Sequence, residues 1–266
     1  MEQPREREHA SADERPDSGE SSGASSPLST AAPAAEPESA PLLLFDLGGF
    51  HEVQDAGEAD ALARQLMLCY SSNRRAPAPF RLALCGLAAA RAHEAGAPGE
   101  RLLRTLDGMN FRRWGPPGWV TIHEEPPWEA FPDRRLVYLS ADAPEPLMDI
   151  QCGQGAEAYV IGGVVDRVRK PGASLQRAQS AGLASAALPT AGVFDTPAKP
   201  DALSCLGCVQ TMLAFHGVTR PNWGDAFVAA PAMWCAPLRK YIVWRGSYSH
   251  LNKPGAYRGR PHNITG

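Results

Sequence analysis

The hydrophobic positions of the chain fall into short runs that alternate with segments of helical character. Apolar runs of strand length occupy residues 42–45, 80–87, 118–122, 134–140, 159–161 and 183–188. Helical spacing, or a helix-start signal such as proline in a first turn, marks residues 58–73, 98–106, 144–150, 174–181, 202–215 and 222–230. Asp201 is placed to N-cap the helix at 202–215. This alternation predicts an α/β fold, a parallel sheet covered by helices on both faces.

Both ends of the chain differ in composition from this middle part. Residues 1–41 are rich in Ala, Pro and Ser and carry nine acidic residues against three arginines, a net charge of −6. Such a segment buries too little apolar surface to offset its ordering entropy, so we predict a disordered acidic tail. Residues 42–240 form the predicted domain, and 241–266 a basic, aromatic C-terminal tail. Since the 266-residue chain has a net charge of −3, the part after residue 41 is mildly basic, at +3.

Cysteine usage and hydropathy bear on compartment and metal binding. Four of the six cysteines lie inside apolar runs, where a free thiol acts as a small hydrophobe, and this favours a reducing compartment. Cys205 and Cys208 have C-x-x-C spacing, but they lie in a helical pattern without a second ligand pair, so we expect no metal. The sequence contains no apolar run of membrane-spanning length, and its N-terminus is acidic. We therefore expect a cytoplasmic or nuclear protein with no membrane contact.

The stretch from Tyr159 to Lys170 combines a buried strand, a glycine pair and charged residues. Gly162 and Gly163 follow the apolar run directly, and they allow either a positive φ or the close approach of a ligand. Asp166 comes next, among the cations Arg167, Arg169 and Lys170. Ligands of open α/β sheets bind at the carboxyl ends of parallel strands. We therefore predict a functional site at this end of the strand.

Six segments in a fixed order extend this interpretation to a known family. They are Leu44–Leu47, Cys69–Arg75, Leu136–Asp142, Tyr159–Asp166, Ala187–Pro189 and Leu203–Leu213. In this order they resemble the SPOUT-class methyltransferases that modify N1 of the purine at position 9 of tRNA, over roughly residues 42–240. The resemblance implies a C-terminal trefoil knot, a rare exception to the rule that proteins are unknotted. It also implies S-adenosylmethionine as cofactor and tRNA as partner, and we expect a monomer.

The resemblance also implies which residues bind the cofactor. The loops of the knot and the start of the following helix correspond here to Leu139, Ser140, Ala141, Asp142, Ile161, Gly162, Gly163, Ala187, Leu188, Pro189 and Leu203. Backbone groups are expected to make most of these contacts. For Asp142 a second interpretation stays open, since an Asp shortly before Pro144 is also an ordinary helix-start residue.

Asp166 is the candidate catalytic residue. N1 of guanine carries a proton at neutral pH, so a general base would assist methyl transfer. The alternative is a surface carboxylate paired with Arg167 or Arg169, which would lower its pKa and make it a weaker base. For tRNA phosphates we expect contacts from Arg74, Arg75, Arg112, Arg113, Arg167, Arg169, Lys170, Arg239, Lys240 and Arg245. The C-terminal tail interleaves cations with aromatic residues, a composition typical of nucleic-acid contacts, although a solvated tail is the alternative.

Two departures from the family pattern favour a second function class. Leu206 stands where the family helix usually carries Asn, and Gly207 replaces a Gln or His. The first strand ends in Asp46-Leu-Gly48, where a Ser is more usual. The alternative is therefore a catalytically weakened RNA-binding or scaffold protein that keeps the knotted fold. A dinucleotide-dependent enzyme is disfavoured, because no G-x-G-x-x-G motif follows an early strand.

Overall fold

One parallel sheet forms the centre of the computed structural model, which describes residues 39–49, 54–91, 97–153, 155–164, 171–190 and 203–230. Six strands build it: β1 (Leu42–Asp46), β2 (Arg81–Cys85), β3 (Val120–Ile122), β4 (Leu136–Leu139), β5 (Ala158–Gly162) and β6 (Ala184–Ala186). Their order is β3-β2-β1-β5-β4-β6, and all neighbours pair in parallel. All strands therefore end at the same edge, which we call the C-edge, and begin at the opposite N-edge.

Seven α-helices and one 3-10 helix lie within the described residues. They are α1 (Ala56–Arg75), α2 (Leu87–Arg91), α3 (Pro98–Gly108), α4 (Pro127–Ala130), α5 (Ala173–Ser180), α6 (Cys205–His216) and α7 (Trp223–Ala229), with a 3-10 helix at Phe111–Arg113. Within the described ranges, no helix combines the length and the apolar character that a membrane crossing requires.

The two faces of the sheet bury separate hydrophobic cores, which explains the unbroken apolar run of β1. Leu43 and Phe45 point to the larger core, which contains residues of α1, α3, α6 and α7. Leu42 and Leu44 point to the smaller core, where Trp128 of α4 and Ala178 of α5 pack. A strand buried on both faces needs apolar side chains at successive positions, so its sequence is a continuous apolar run.

Helix α1 returns the chain from the C-edge to the N-edge. Its start is fixed by a capping box, in which Asp55 Oδ1 accepts the amide of Glu58 at 2.8 Å and Glu58 Oε2 accepts the amide of Asp55 at 2.9 Å. At its last turn, the Asn73 side chain exchanges two hydrogen bonds with the backbone of Phe80, at 2.8 and 2.9 Å. Since Phe80 precedes β2 directly, the end of α1 is anchored at the N-edge.

The predicted helix at 144–150 is wrong. The segment is extended: Ala187 donates its amide to Glu145 O and Leu147 donates to Ala187 O, both at 2.8 Å, and Pro146 forms an isolated parallel bridge with Ala187. Pro144 and Pro146 explain the difference, because a proline disfavours the helical conformation of the residue before it. Two prolines in alternate positions therefore outweigh the helix-start signal.

The N-cap predicted for the helix at 202–215 is also wrong. Helix α6 begins at Cys205, and its N-cap is Ser204, whose Oγ accepts the amide of Gly207 at 3.1 Å. Asp201 lies outside the described residues.

The apolar run predicted as one strand at 80–87 is divided at Gly86, where φ is +80°. Its last residue, Leu87, begins α2. The predicted boundaries of both tails, 1–41 and 241–266, stay a prediction.

Candidate cofactor site and basic surface

The three loops predicted to hold the cofactor meet at the C-edge. Strand β4 lies between β5 and β6, with Leu139 paired to Ile161 on one side and to Ala186 on the other. The Ser140 amide continues this contact by donating to Ala186 O at 3.0 Å. The structure therefore brings together residues 139–142, 161–163 and 187–189.

Gly163, which directly follows β5, serves close backbone packing. Neither Gly162 nor Gly163 has a positive φ, so the first predicted reason for glycine does not apply. The predicted approach of a ligand stays a prediction, and the observed neighbour is the protein's own backbone. The Gly163 amide donates to Asp46 O at 2.8 Å, and a Cβ at Gly163 would lie 2.6 Å from Leu47 Cδ2 and 2.8 Å from Asp46 O. The end of β1 thus occupies the space that a side chain of residue 163 would need.

Asp142 connects the loop after β4 to the start of α5. Its exposed carboxylate accepts the Gly172 amide at 2.9 Å, and its own amide donates to Ser140 Oγ at 3.2 Å. Gly172 has a φ of +78° and directly precedes α5. The helix-start interpretation was therefore wrong for a helix after Pro144, while the carboxylate does hold the beginning of another helix.

The start of α6 lies beside the loop after β5. Cys205 Sγ is 3.5 Å from Gly162 O, and the half-buried Leu203 packs against the larger core. Leu203 lies two residues before Cys205 in the chain, and its contact with the cofactor stays a prediction. Leu206, where the family usually carries Asn, also packs against this core, and Gly207 is buried. Leucine has no polar side-chain atom and glycine has no side chain, so neither position offers a side-chain hydrogen bond.

A buried polar network at the end of β1 was not predicted. Asp46 is fully buried and accepts hydrogen bonds from the Gly48 amide at 3.1 Å, Tyr138 Oη at 3.1 Å and Arg177 Nε at 3.0 Å. The Arg177 guanidinium lies 4.8 Å from the centre of the Trp128 ring. Burial, and then the charge of Asp46, raise the pKa of the Tyr138 hydroxyl well above its ordinary value, so this group stays a donor. An acidic residue at the end of a buried strand is the sequence signal that indicates such a network.

Four of the predicted RNA-binding arginines lie on one side of the molecule. Arg74 and Arg75 are exposed at the end of α1, and Arg112 and Arg113 are exposed on the 3-10 helix. Ring contacts connect these two elements. The rings of Tyr70 and Trp114 stack with centroids 4.9 Å apart, Tyr70 Oη accepts the Gly115 amide at 2.8 Å, and the Arg74 guanidinium lies 5.9 Å from the Tyr70 ring.

This basic surface, defined as Arg74, Arg75, Arg112 and Arg113, lies at the N-edge, where α1 ends. The loops predicted to bind the cofactor lie at the C-edge. Strand β1 has five residues between these edges, which corresponds to roughly 17 Å at the usual strand rise. A ligand that contacts both regions must therefore extend across the sheet.

The remaining predicted site residues lie outside the described part of the chain. They are Asp166, Arg167, Arg169, Lys170, Arg239, Lys240 and Arg245. In the described segments, His, Cys, Asp and Glu side chains form no group of three or more that could hold a metal ion.

The sequence matches the model of one protein family over most of its length. The family is described as tRNA (guanine(9)-N(1))-methyltransferase TRM10/TRM10A, and the match covers residues 1–234. The chain belongs to this family. The resemblance noted in the sequence is thereby confirmed.

Similarity to individual TRM10 relatives is moderate. The chain is 31% identical over 195 residues to tRNA methyltransferase 10 homolog A of Rattus norvegicus, covering 72% of this chain and 52% of the relative. It is 29% identical over 182 residues to the homolog A of Xenopus tropicalis, with coverage of 67% and 48%. The chain therefore spans about half the length of these curated relatives. A Drosophila melanogaster protein named mitochondrial ribonuclease P protein 1 homolog is 28% identical over 56% of this chain and 31% of that protein.

Solved Trm10 structures share the fold. Full-length spTrm10 in complex with SAH superposes with a TM-score of 0.57 at 22% identity, covering 73% of this chain and 96% of that one. The spTrm10(74) structure gives 0.58 at 22% identity, with coverage of 72% and 94%. The predicted fold class is thereby confirmed. The similarity implies the trefoil knot as well, although residues 191–202, between β6 and α6, lie outside the described part.

Proposed function

We propose that this chain transfers a methyl group from S-adenosylmethionine to N1 of the purine at position 9 of tRNA, with guanosine as the expected base. One observation carries the proposal: in a member of the TRM10/TRM10A family, the three predicted cofactor loops and the start of α6 meet at one edge of the sheet. Ligands of parallel α/β sheets bind at this edge.

The described residues at the C-edge suit an adenosine group. Ala141, Ala187 and Pro189 are half-buried and small, so they offer an apolar surface of the kind that ring systems contact in ligand sites. Leu203 would close the pocket from the side of α6. When bound, the cofactor supplies an electrophilic methyl group on a sulfonium. The protein then needs mainly to position the purine nitrogen in line with that group.

In this proposal Asp166 accepts the N1 proton, and the basic surface binds tRNA phosphates away from the reacting base. The N-edge position of the basic surface supports these separate roles. The purine at position 9 would lie at the C-edge, and the contacted phosphates would lie at the opposite edge of the sheet. The cytoplasmic or nuclear location stays a prediction, since the relatives include a protein named as mitochondrial.

A methylation assay tests the proposal. Purified chain, S-adenosylmethionine and a tRNA transcript with G9 should give a primer-extension stop at position 9, and a transcript with A9 shows which purine is accepted. Asp166→Asn should lower the rate by about 10² to 10⁴ if Asp166 is the general base. Asp133→Asn, which alters an exposed carboxylate in the turn before β4, is the control and should keep the wild-type rate. A decrease below about threefold for Asp166→Asn at every pH would exclude the base assignment.

The second candidate is an RNA-binding protein without methylation activity. The apolar packing of Leu206 favours it, because a polar side chain at this position is lost. Thermal unfolding with S-adenosylhomocysteine separates the two. A ligand present at 100 times its Kd should stabilise the native state by about 2.7 kcal/mol, whereas a protein without a cofactor site should show no shift.

A further inference from the structure

The backbone carbonyls of the loop after β5 accept hydrogen bonds from two side chains that belong to other elements. Gln54 Nε2 donates to Gly163 O at 2.9 Å. Cys205 Sγ lies 3.5 Å from Gly162 O and 3.9 Å from Val164 O. Two donors, 151 residues apart in the sequence, thus lie within reach of three consecutive carbonyls from Gly162 to Val164.

Capping interactions fix the backbone from which both donors project. Gln54 directly precedes Asp55, the N-cap residue of the capping box of α1. Cys205 is the first residue of α6 and directly follows its N-cap, Ser204. Because N-caps determine where a helix begins, both side chains start from defined positions rather than from loose loop segments.

The Cys205 thiol is a persistent donor. Its side chain is 2% exposed, and burial raises its pKa to about 12, so it keeps its proton throughout the neutral range. One thiol carries one proton, so it serves one carbonyl at a time, and the shorter distance favours Gly162 O. The Gln54 amide is neutral and donates irrespective of pH.

The loop itself needs external restraint. Gly162 and Gly163 have no side chains, and glycine has more backbone freedom to lose than any other residue. Within the backbone, the loop is held by the bond from the Gly163 amide to Asp46 O and by the bond from the Val164 amide to Gly162 O, both at 2.8 Å. The side-chain donors add restraint on the carbonyl side of the same segment, to Gly162 O and Gly163 O.

We propose that Gln54 and Cys205 are positioning residues that hold Gly162–Val164 in the conformation that binds the cofactor. The link to cofactor binding rests on the proposed function, whereas the restraint of the loop rests on the hydrogen bonds alone. Both residues act on the backbone of the loop, so the identity of their side chains matters only through donor ability and reach.

Hydrogen exchange tests the held loop without any ligand. In Gln54→Met and in Cys205→Ala, the amides of Gly163 and Val164 should exchange about five- to tenfold faster, since each variant loses one hydrogen bond of about 1 kcal/mol. Cys205→Ser keeps a donor and should restore slow exchange in large part. Cys69→Ala is the matched control, because Cys69 is an equally buried thiol in the interior of α1. Exchange in Gln54→Met and Cys205→Ala that equals the control would overturn the inference.

Calorimetry with S-adenosylhomocysteine tests whether the held loop contributes to cofactor binding. Gln54→Met and Cys205→Ala should each weaken binding by about five- to tenfold, Cys205→Ser by less, and Cys69→Ala should bind as wild type. Faster loop exchange with unchanged affinity would overturn the link to cofactor binding. If the wild-type chain itself binds no S-adenosylhomocysteine, the proposed function fails, and hydrogen exchange still decides whether the two side chains hold the loop.

Discussion

Asp46 shows how much depends on single side chains at the C-edge. It has no exposed surface, and its carboxylate pairs with Arg177 of α5 and accepts a hydrogen bond from Tyr138 of β4. A buried carboxylate is costly unless it is paired and hydrogen-bonded, and these contacts meet that condition. The network therefore fastens α5 and β4 to the end of β1, next to the proposed cofactor loops.

Removal of the Arg177 guanidinium should destabilise the protein strongly. Arg177→Met keeps much of the apolar stem but leaves the buried Asp46 carboxylate without its ion-pair partner. Breaking a buried pair costs about 3 kcal/mol or more, and the 27% exposure of the Arg177 side chain places this variant near that lower value. Urea unfolding monitored by circular dichroism measures the change.

An exposed ion pair provides the control for this experiment. Arg104 and Glu100 pair across one turn of α3, with side chains 62% and 40% exposed. Arg104→Met should therefore change the free energy of unfolding by about 0.5 kcal/mol or less. Equal effects of the two variants would mean that the Asp46 pair contributes no more than a surface contact.

At the scale of elements, the uniformly buried central strands are among the elements that were predicted correctly. The runs that became β1 and β5 are apolar at every position because both faces of the sheet are covered, and this signal is independent of distant contacts. The helix predicted at 144–150 does not form because its two prolines disfavour it. The extended form is instead paired with Ala187, about 40 positions later in the sequence. The Asp46 and Arg177 pair spans an even longer separation, so the local pattern could not reveal it.

Helix α6 offers a direct test of which residue caps it. Ser204→Ala removes the acceptor of the Gly207 amide and should cost about 1 kcal/mol of stability. The same substitution at Asp201, the cap expected from the sequence, should have almost no effect. Thermal unfolding of both variants makes the comparison, and a larger loss from Asp201→Ala would restore the original assignment. Because Cys205 follows the cap, Ser204→Ala should also loosen the proposed cofactor loop.

At the scale of the whole molecule, charge is distributed unevenly. The first 41 residues carry a net charge of −6, whereas the six cations from residue 237 onward face no acidic residue in that segment. The basic surface at the N-edge adds four exposed arginines within the described part of the chain. The sequence predicted that these arginines bind the same ligand, and the Tyr70 and Trp114 stack supplies the contact that places them together. Their position at the edge opposite the proposed cofactor loops follows from strand direction, which single residues do not show.

The salt dependence of tRNA binding tests which of these charged segments contact tRNA phosphates. Each phosphate neutralised by a Lys or Arg contributes about −0.7 to −0.9 to the slope of log affinity against log salt. If three or four tail cations reach tRNA, deletion of residues 241–266 should weaken binding more than tenfold at moderate salt and flatten the slope by roughly two. Deletion of residues 1–40 should leave binding unchanged or slightly tighter, because it removes repulsive charge. Filter binding across a salt series measures both truncations. Full affinity and slope after the tail deletion would assign phosphate binding to the basic surface, and Arg74→Ala with Arg113→Ala should then flatten the slope instead.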